Sequence, residues 1–180
     1  LRKTNKGGVP KQVFKLFNGG SFNADYNKKY KPLKVAIPAT AKHVEVVAVI
    51  TGHGWGVEKA NCAEFCNHTH HFTVGTKTFV RDHPWVGDNF GCAKQIDKGV
   101  VPNQYGTWTL GRAGWCPGLE VTPTVFDVTA QAPAGKEVTI SYQGLLGGKA
   151  YLPEKAPPGQ YNPTGFGAQI DMESWLLIYE

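Results

Sequence analysis

The sequence predicts an all-β protein: an antiparallel jelly-roll β-sandwich with long Gly/Pro-rich loops and two disulfides. Three observations lead there. Apolar and polar residues alternate over short stretches, the period of a strand with one buried face. Those stretches are separated by segments dense in glycine and proline, of which the 180 residues contain 22 and 12, and such punctuation marks turns and loops. No stretch shows the apolar period of an amphipathic helix. Short strands joined by long loops bury a core most readily as two stacked sheets, and this length suffices for one such core.

The elements follow in order. Residues 1–12 read as a basic lead-in and residues 13–180 as a single domain. "VFKLF" (13–17) alternates and predicts a strand, and "NGGSFNADYNKKYKP" (18–32) is turn-rich. "LKVAIP" (33–38) and "HVEVVAVIT" (43–51) predict strands, with "GHGWG" (52–56) as a glycine-rich loop after the second. "HHFTV" and "KTFVR" (77–81) flank Gly75-Thr76 and predict a hairpin. Residues 82–124 carry Pro, Gly and Trp without periodicity and read as irregular surface loops. "TVFDVTA" (124–130), "EVTISYQG" (137–144) and "ESWLLIYE" (173–180) predict strands, and 151–167 a Pro-rich loop.

The net charge is +5, and much of the excess lies early, from Arg2 and Lys3 to Lys34. No recognition-helix pattern accompanies it, so it reads as a solvated surface rather than a nucleic-acid face. No apolar run approaches the roughly 20 residues that span a bilayer. No signal peptide is visible, and a start at Leu1 suggests a processed precursor or an excised fragment. Four cysteines fit two disulfides and a secreted, oxidising setting. Four cysteines allow three connectivities. Spacing favours Cys62–Cys66, which leaves Cys92–Cys116. The rival is a zinc site using Cys62, Cys66 and a nearby histidine, which lacks a second close pair to complete four ligands.

Three constellations carry chemistry. In "NCAEFCNHTHHFTV" (61–74), His68 and His70 are two apart, so on a strand they share a face while Thr69 and His71 take the other. Neutral imidazoles suit copper or zinc. Met172 is the sole methionine, a soft thioether suited to Cu(I), or else a gap-filler in the core. His53 is a further ligand or substrate contact. Glu64, held between two cysteines, offers a general acid–base or a polar anchor. In "GRAGWCPG" (111–118), Arg112 offers a planar fork for a carboxylate or carbonyl and Trp115 a flat apolar face for a sugar or peptide. The sequon at Asn67 lies against the histidine strand, where a glycan would block the site, so it is expected to be unused.

"NCAEFC", followed by "TH", with "RAGWCPG" downstream, resembles the C-terminal jelly-roll domain of the peptide-N-glycosidase F family. The resemblance implies the same two disulfides and places Glu64 and Arg112 at positions of active-site residues. "TGHGW" falls on a carbohydrate-contacting loop, with histidine and tryptophan in exchanged order, which makes His53 and Trp55 substrate-contact candidates beside Trp115. That glycosidase has two jelly rolls and takes its essential aspartate from the N-terminal one, so an N-terminal jelly roll, on the same or a separate chain, is the implied partner. "HTHH" (68–71) and "DMESWLLIY" (171–179) are also similar to the second domain of copper monooxygenases of the peptidylglycine-hydroxylating type, which implies copper held by His68, His70 and Met172. The leading expectation is a secreted copper-binding domain with a type 2 site and redox or oxygen chemistry. The alternative is the C-terminal half of an N-glycan amidase acting through Glu64 and Arg112 on a peptide or glycan substrate. The third is a non-catalytic binding module.

Overall fold

The structure is a computed structural model that describes residues 8–103 and 105–180. Arg2, Lys3 and Lys6 of the basic lead-in lie outside the described residues. Among these residues, eight antiparallel strands make two four-stranded sheets. They are β1 (Gln12–Ser21), β2 (Leu33–Ala36), β3 (His43–Trp55), β4 (His68–Val74), β5 (Lys77–Arg81), β6 (Thr124–Asp127), β7 (Glu137–Leu146) and β8 (Phe166–Tyr179). One sheet runs β1-β8-β3-β6 and the other β2-β7-β4-β5. The only helical pieces among the described residues are two 3-10 turns, Tyr26–Lys29 and Ala93–Lys98. The all-β sandwich and both disulfides, Cys62–Cys66 and Cys92–Cys116, are therefore as expected. No helix among the described residues is long and apolar enough to cross a membrane.

The core is the stack of the two inner faces. β3 buries every second residue from Val44 through Val46, Ala48 and Ile50, and β8 does so through Ile170, Met172, Ser174, Leu176 and Ile178. β4 presents His68, His70, Phe72 and Val74 to the same interior. The strict alternation that predicted these strands is thus the alternation of core and solvent. Buried Ser174 fits because its hydroxyl donates to Phe17 O and accepts from Phe17 N, both at 2.9 Å.

Two boundaries differ from expectation. "GHGW" does not loop away. Gly52–Trp55 continue β3 and pair with Ile170, Gln169 and Phe166 of β8, which itself begins within the expected Pro-rich loop. Glycines are weak strand residues, but here a long partner strand supplies the hydrogen bonds and overrides propensity. The register shifts between His53 and Trp55, where Gly54 takes φ +136. A bulge of this kind re-aims neighbouring side chains at the end of a sheet.

Candidate functional site

The loop 61–67, the end of β3 and the 111–118 loop are laced into one body by the backbone. Ala63 N donates to His53 O at 3.1 Å, Ala113 N to Glu64 O at 3.0 Å and Gly52 N to Ala113 O at 2.9 Å. The two disulfides tie the first and third of these segments down. Gly114 sits at φ +84, and a Cβ there would lie 2.2 Å from Ile50 O, so this close approach requires glycine.

That lacing sets Glu64 against Arg112. Arg112 is 2 % exposed and Glu64 6 %, and Arg112 Nε donates to Glu64 Oε1 at 2.8 Å. The rest of the guanidinium is used as well: Nη1 donates to Leu110 O at 3.2 Å and Nη2 to Thr107 Oγ1 at 2.9 Å. Its plane lies over the rings of Trp115 and Phe65, 4.9 and 5.3 Å from their centroids. A buried ion pair is tolerable only when its remaining donors are satisfied in this way.

Glu64 also borders a cleft of ≈ 460 Å³, walled by His53, Trp55, Phe65, Tyr105, Thr107, Trp115 and Phe166. His53 packs on Trp115 with ring centroids 5.3 Å apart, and Trp115 Nε1 donates to Gly52 O at 3.0 Å. Trp55, Tyr105 and Phe166 are exposed. A carboxylate among aromatic faces suits a sugar, whose apolar C–H faces stack on the rings while its hydroxyls donate to the oxygen atoms. His53, Trp55, Glu64 and Trp115 are thus brought together, with Arg112 behind Glu64. The sequence reading missed Phe65, Tyr105 and Phe166. They come from three separate segments, and aromatic residues in loops carry no periodic signal.

On the other side of Ala63 lies a second cluster. His68 and His70 do share the inner face of β4, and His71 takes the opposite, half-buried face, where its Nε2 meets Thr69 Oγ1 at 2.9 Å. A third imidazole, His83, joins the pair. The ligand-type nitrogens of His68, His70 and His83 lie within 4.8 Å of one another, and the three side chains are 0–1 % exposed. His83 follows β5 and is fixed by Asn67, whose Oδ1 accepts from His83 N at 3.0 Å. Burial lowers the pKa of all three below the ordinary histidine value, to about 4 for His68 and well down for His70. They are therefore neutral imidazoles, the form that binds metals.

Met172 is buried on β8, opposite Ile50 in register and two residues on from Ile170, the partner of Gly52. Gly52 is the point at which His68 meets the facing sheet: a Cβ on it would stand 2.7 Å from His68 Nε2 and 2.2 Å from Ala63 O. Met172 thus lies two residues along β8 from the Gly52–Ile170 pair that His68 meets. His83 escaped the sequence reading because "RDHPW" lies in an aperiodic stretch read as surface loop. Its only local sign is the following proline, which favours extended backbone.

The comparisons with known proteins agree with the fold. Residues 21–177 match the family described as "Peptide-N-glycosidase F, C terminal". The chain is 30% identical over 96 residues to the peptide-N(4)-(N-acetyl-β-D-glucosaminyl)asparagine amidase F of Elizabethkingia miricola, an alignment that covers 50% of this chain and 25% of that protein. Among solved structures, PNGase F from Flavobacterium meningosepticum superposes with a TM-score of 0.62 at 19% identity, over 94% of this chain and 51% of that one. PNGF-II superposes with a TM-score of 0.60 at 18% identity, over 96% of this chain and 30% of that one. The chain spans about half the length of the first solved relative and aligns to a quarter of the curated one. With a family match across most of its length and the two sheets and two disulfides in place, the chain belongs to the family of peptide-N-glycosidase F C-terminal domains.

Proposed function

We propose that this chain is the glycan-holding half of a secreted amidase that acts on asparagine-linked sugars. The observation that carries the reading is the buried Glu64–Arg112 pair at the edge of the aromatic cleft. Arg112 spends its donors on Glu64, Leu110 and Thr107, so it holds Glu64 in one orientation. Glu64 Oε2, 3.5 Å from Gly54 N, is the atom that accepts from a sugar hydroxyl or the glycosylated amide. Trp55 and Phe166 supply stacking faces. The family match and the printed activity of the Elizabethkingia relative support this substrate class. Because the chain spans about half of the solved relative, the proposal includes a second jelly-roll unit, on the same polypeptide or a separate one, that contributes the remaining reacting groups. The two disulfides support an oxidising, extracellular setting.

A glycopeptide carrying an N-linked chitobiose core, titrated calorimetrically into the purified chain, tests the reading. Binding is expected, with no glycan released by the 180 residues alone. Glu64→Gln is expected to weaken it roughly tenfold or more, as a hydrogen bond to a charged group contributes about 1.5–3 kcal/mol. Absence of binding by the folded parent chain overturns the proposal.

Oxygen chemistry at a copper held by His68, His70 and Met172 is the second reading. The convergence of the two β4 histidines favours it. Oxygen uptake by the copper-loaded chain in the presence of a reductant tests it.

A further inference from the structure

We propose that His68, His70 and His83 form a three-imidazole centre for one late first-row transition-metal ion, copper or zinc, that stands independently of the amidase reading. His70 Nε2 and His83 Nε2 face each other at 3.2 Å. Two nitrogens bound to one tetrahedral ion at the usual 2.0–2.1 Å stand about 3.3 Å apart, so this pair is already at chelating distance. His68 completes the set through its other nitrogen. Its Nε2 donates to the Ala63 carbonyl at 3.1 Å, which leaves the lone pair on Nδ1. That atom is buried with no hydrogen-bond partner among the described residues, and so is His83 Nδ1. A bare polar atom in a core is costly, and at His68 Nδ1 a metal ion satisfies a lone pair that no donor reaches.

The surroundings are those of a ligand set. His70 Nδ1 lies 2.7 Å from Tyr142 Oη, which lies 3.0 Å from Tyr26 Oη. With Nε2 on a metal, Nδ1–H donates outward along this relay, the kind of outer hydrogen bond that fixes a tautomer and raises ligand basicity. Asn67 acts on His83 differently: its Oδ1 accepts from the His83 backbone N–H at 3.0 Å, which places the residue without engaging its ring. His83 also borders a recess of ≈ 110 Å³ together with Arg81, Trp85 and Gln95, the side from which an ion would enter. The ligand set differs from the expected one in its third member: an imidazole from beyond β5, with Met172 at most a fourth.

Metal analysis of the whole chain tests this. The protein is stripped with a chelator, equilibrated with Cu(II) or with Zn(II), desalted, and its metal content measured. One ion per chain is expected. The Cu(II) form should show nitrogen superhyperfine structure in its electron paramagnetic resonance spectrum. His83→Gln should lower affinity by more than the roughly 10–100-fold that loss of an outer partner costs, while His71→Gln on the opposite face leaves it unchanged. If His83→Gln does not fold by circular dichroism, Tyr142→Phe decides, with an expected loss of roughly 10–100-fold. Folded parent protein that retains no ion overturns the proposal. So does a folded His83→Gln variant that binds as the parent does, or a Tyr142→Phe variant with unchanged affinity. Release of the ion by Met172→Leu but not by His83→Gln overturns the ligand set.

Discussion

At the scale of single residues, Arg112 does the most with one side chain. It is almost wholly enclosed, yet its nitrogens meet a carboxylate, a carbonyl and a hydroxyl while two aromatic rings cover its plane. Removing it is expected to be worse than removing both members of the pair, because Glu64 would then be a buried charge without a counter-charge. Arg112→Met should cost roughly 3–5 kcal/mol in urea unfolding. Adding Glu64→Gln to it should restore part of that loss, since a neutral amide is easier to enclose. A double variant less stable than Arg112→Met would show that Glu64 finds other support. Lysine cannot replace this arginine, because one ammonium cannot reach three separate acceptors in a plane.

At the scale of elements, β3 carries the design. Its first half is ordinary core strand. Its second half lacks side chains at Gly52 and Gly54, so the 61–67 loop comes against the backbone: Cβ atoms built there would stand 2.2 Å from Ala63 O and 2.3 Å from Cys62 O. Gly52→Ala is therefore expected to displace the Ala63 carbonyl and with it His68. Stability should fall by roughly 1–3 kcal/mol, the usual cost of overpacking, and any metal affinity should fall as well, whereas Ala48, already a small core residue on the same strand face, tolerates Gly at the cost of a strand glycine alone. Thermal unfolding of the two variants separates these outcomes. The first half of β3, the β4–β5 hairpin and the closing strand were legible because one face is buried and the other wet, and that contrast is written in the residues. The glycine half was read as loop, since glycine has no preference to display and its strand state is imposed by pairing with β8. The histidine pair was legible from its strand spacing. His83 was not, because its position depends on a contact with Asn67 sixteen residues away, which no local pattern encodes.

At the scale of the whole molecule, the sandwich is rigid bedding and the long 82–123 segment is an attachment. That segment has its own small core of Cys92, Val100 and Cys116, with Trp108 and Leu119 packed on it. The Cys92–Cys116 bridge, with a sequence separation of 24, should contribute roughly 3 kcal/mol by loop-closure arguments. A Cys92→Ser/Cys116→Ser variant is expected to keep the two sheets and lose order around Arg112 and Tyr105. Hydrogen exchange would show fast amides in 92–118 and slow ones in β3 and β8, and equal loosening of both would mean that the attachment is part of the main folding unit. The bare backbone at Gly52 has a bearing beyond this chain. A relative can keep the two β4 histidines and a third one after β5, but any side chain in the position of Gly52 would occupy the ground on which the first imidazole stands. A relative is therefore expected to hold three converging imidazoles only where glycine stands at that position, and a larger residue there is expected to exclude the cluster whatever the histidines suggest, so a metal survey of relatives can start from that one column.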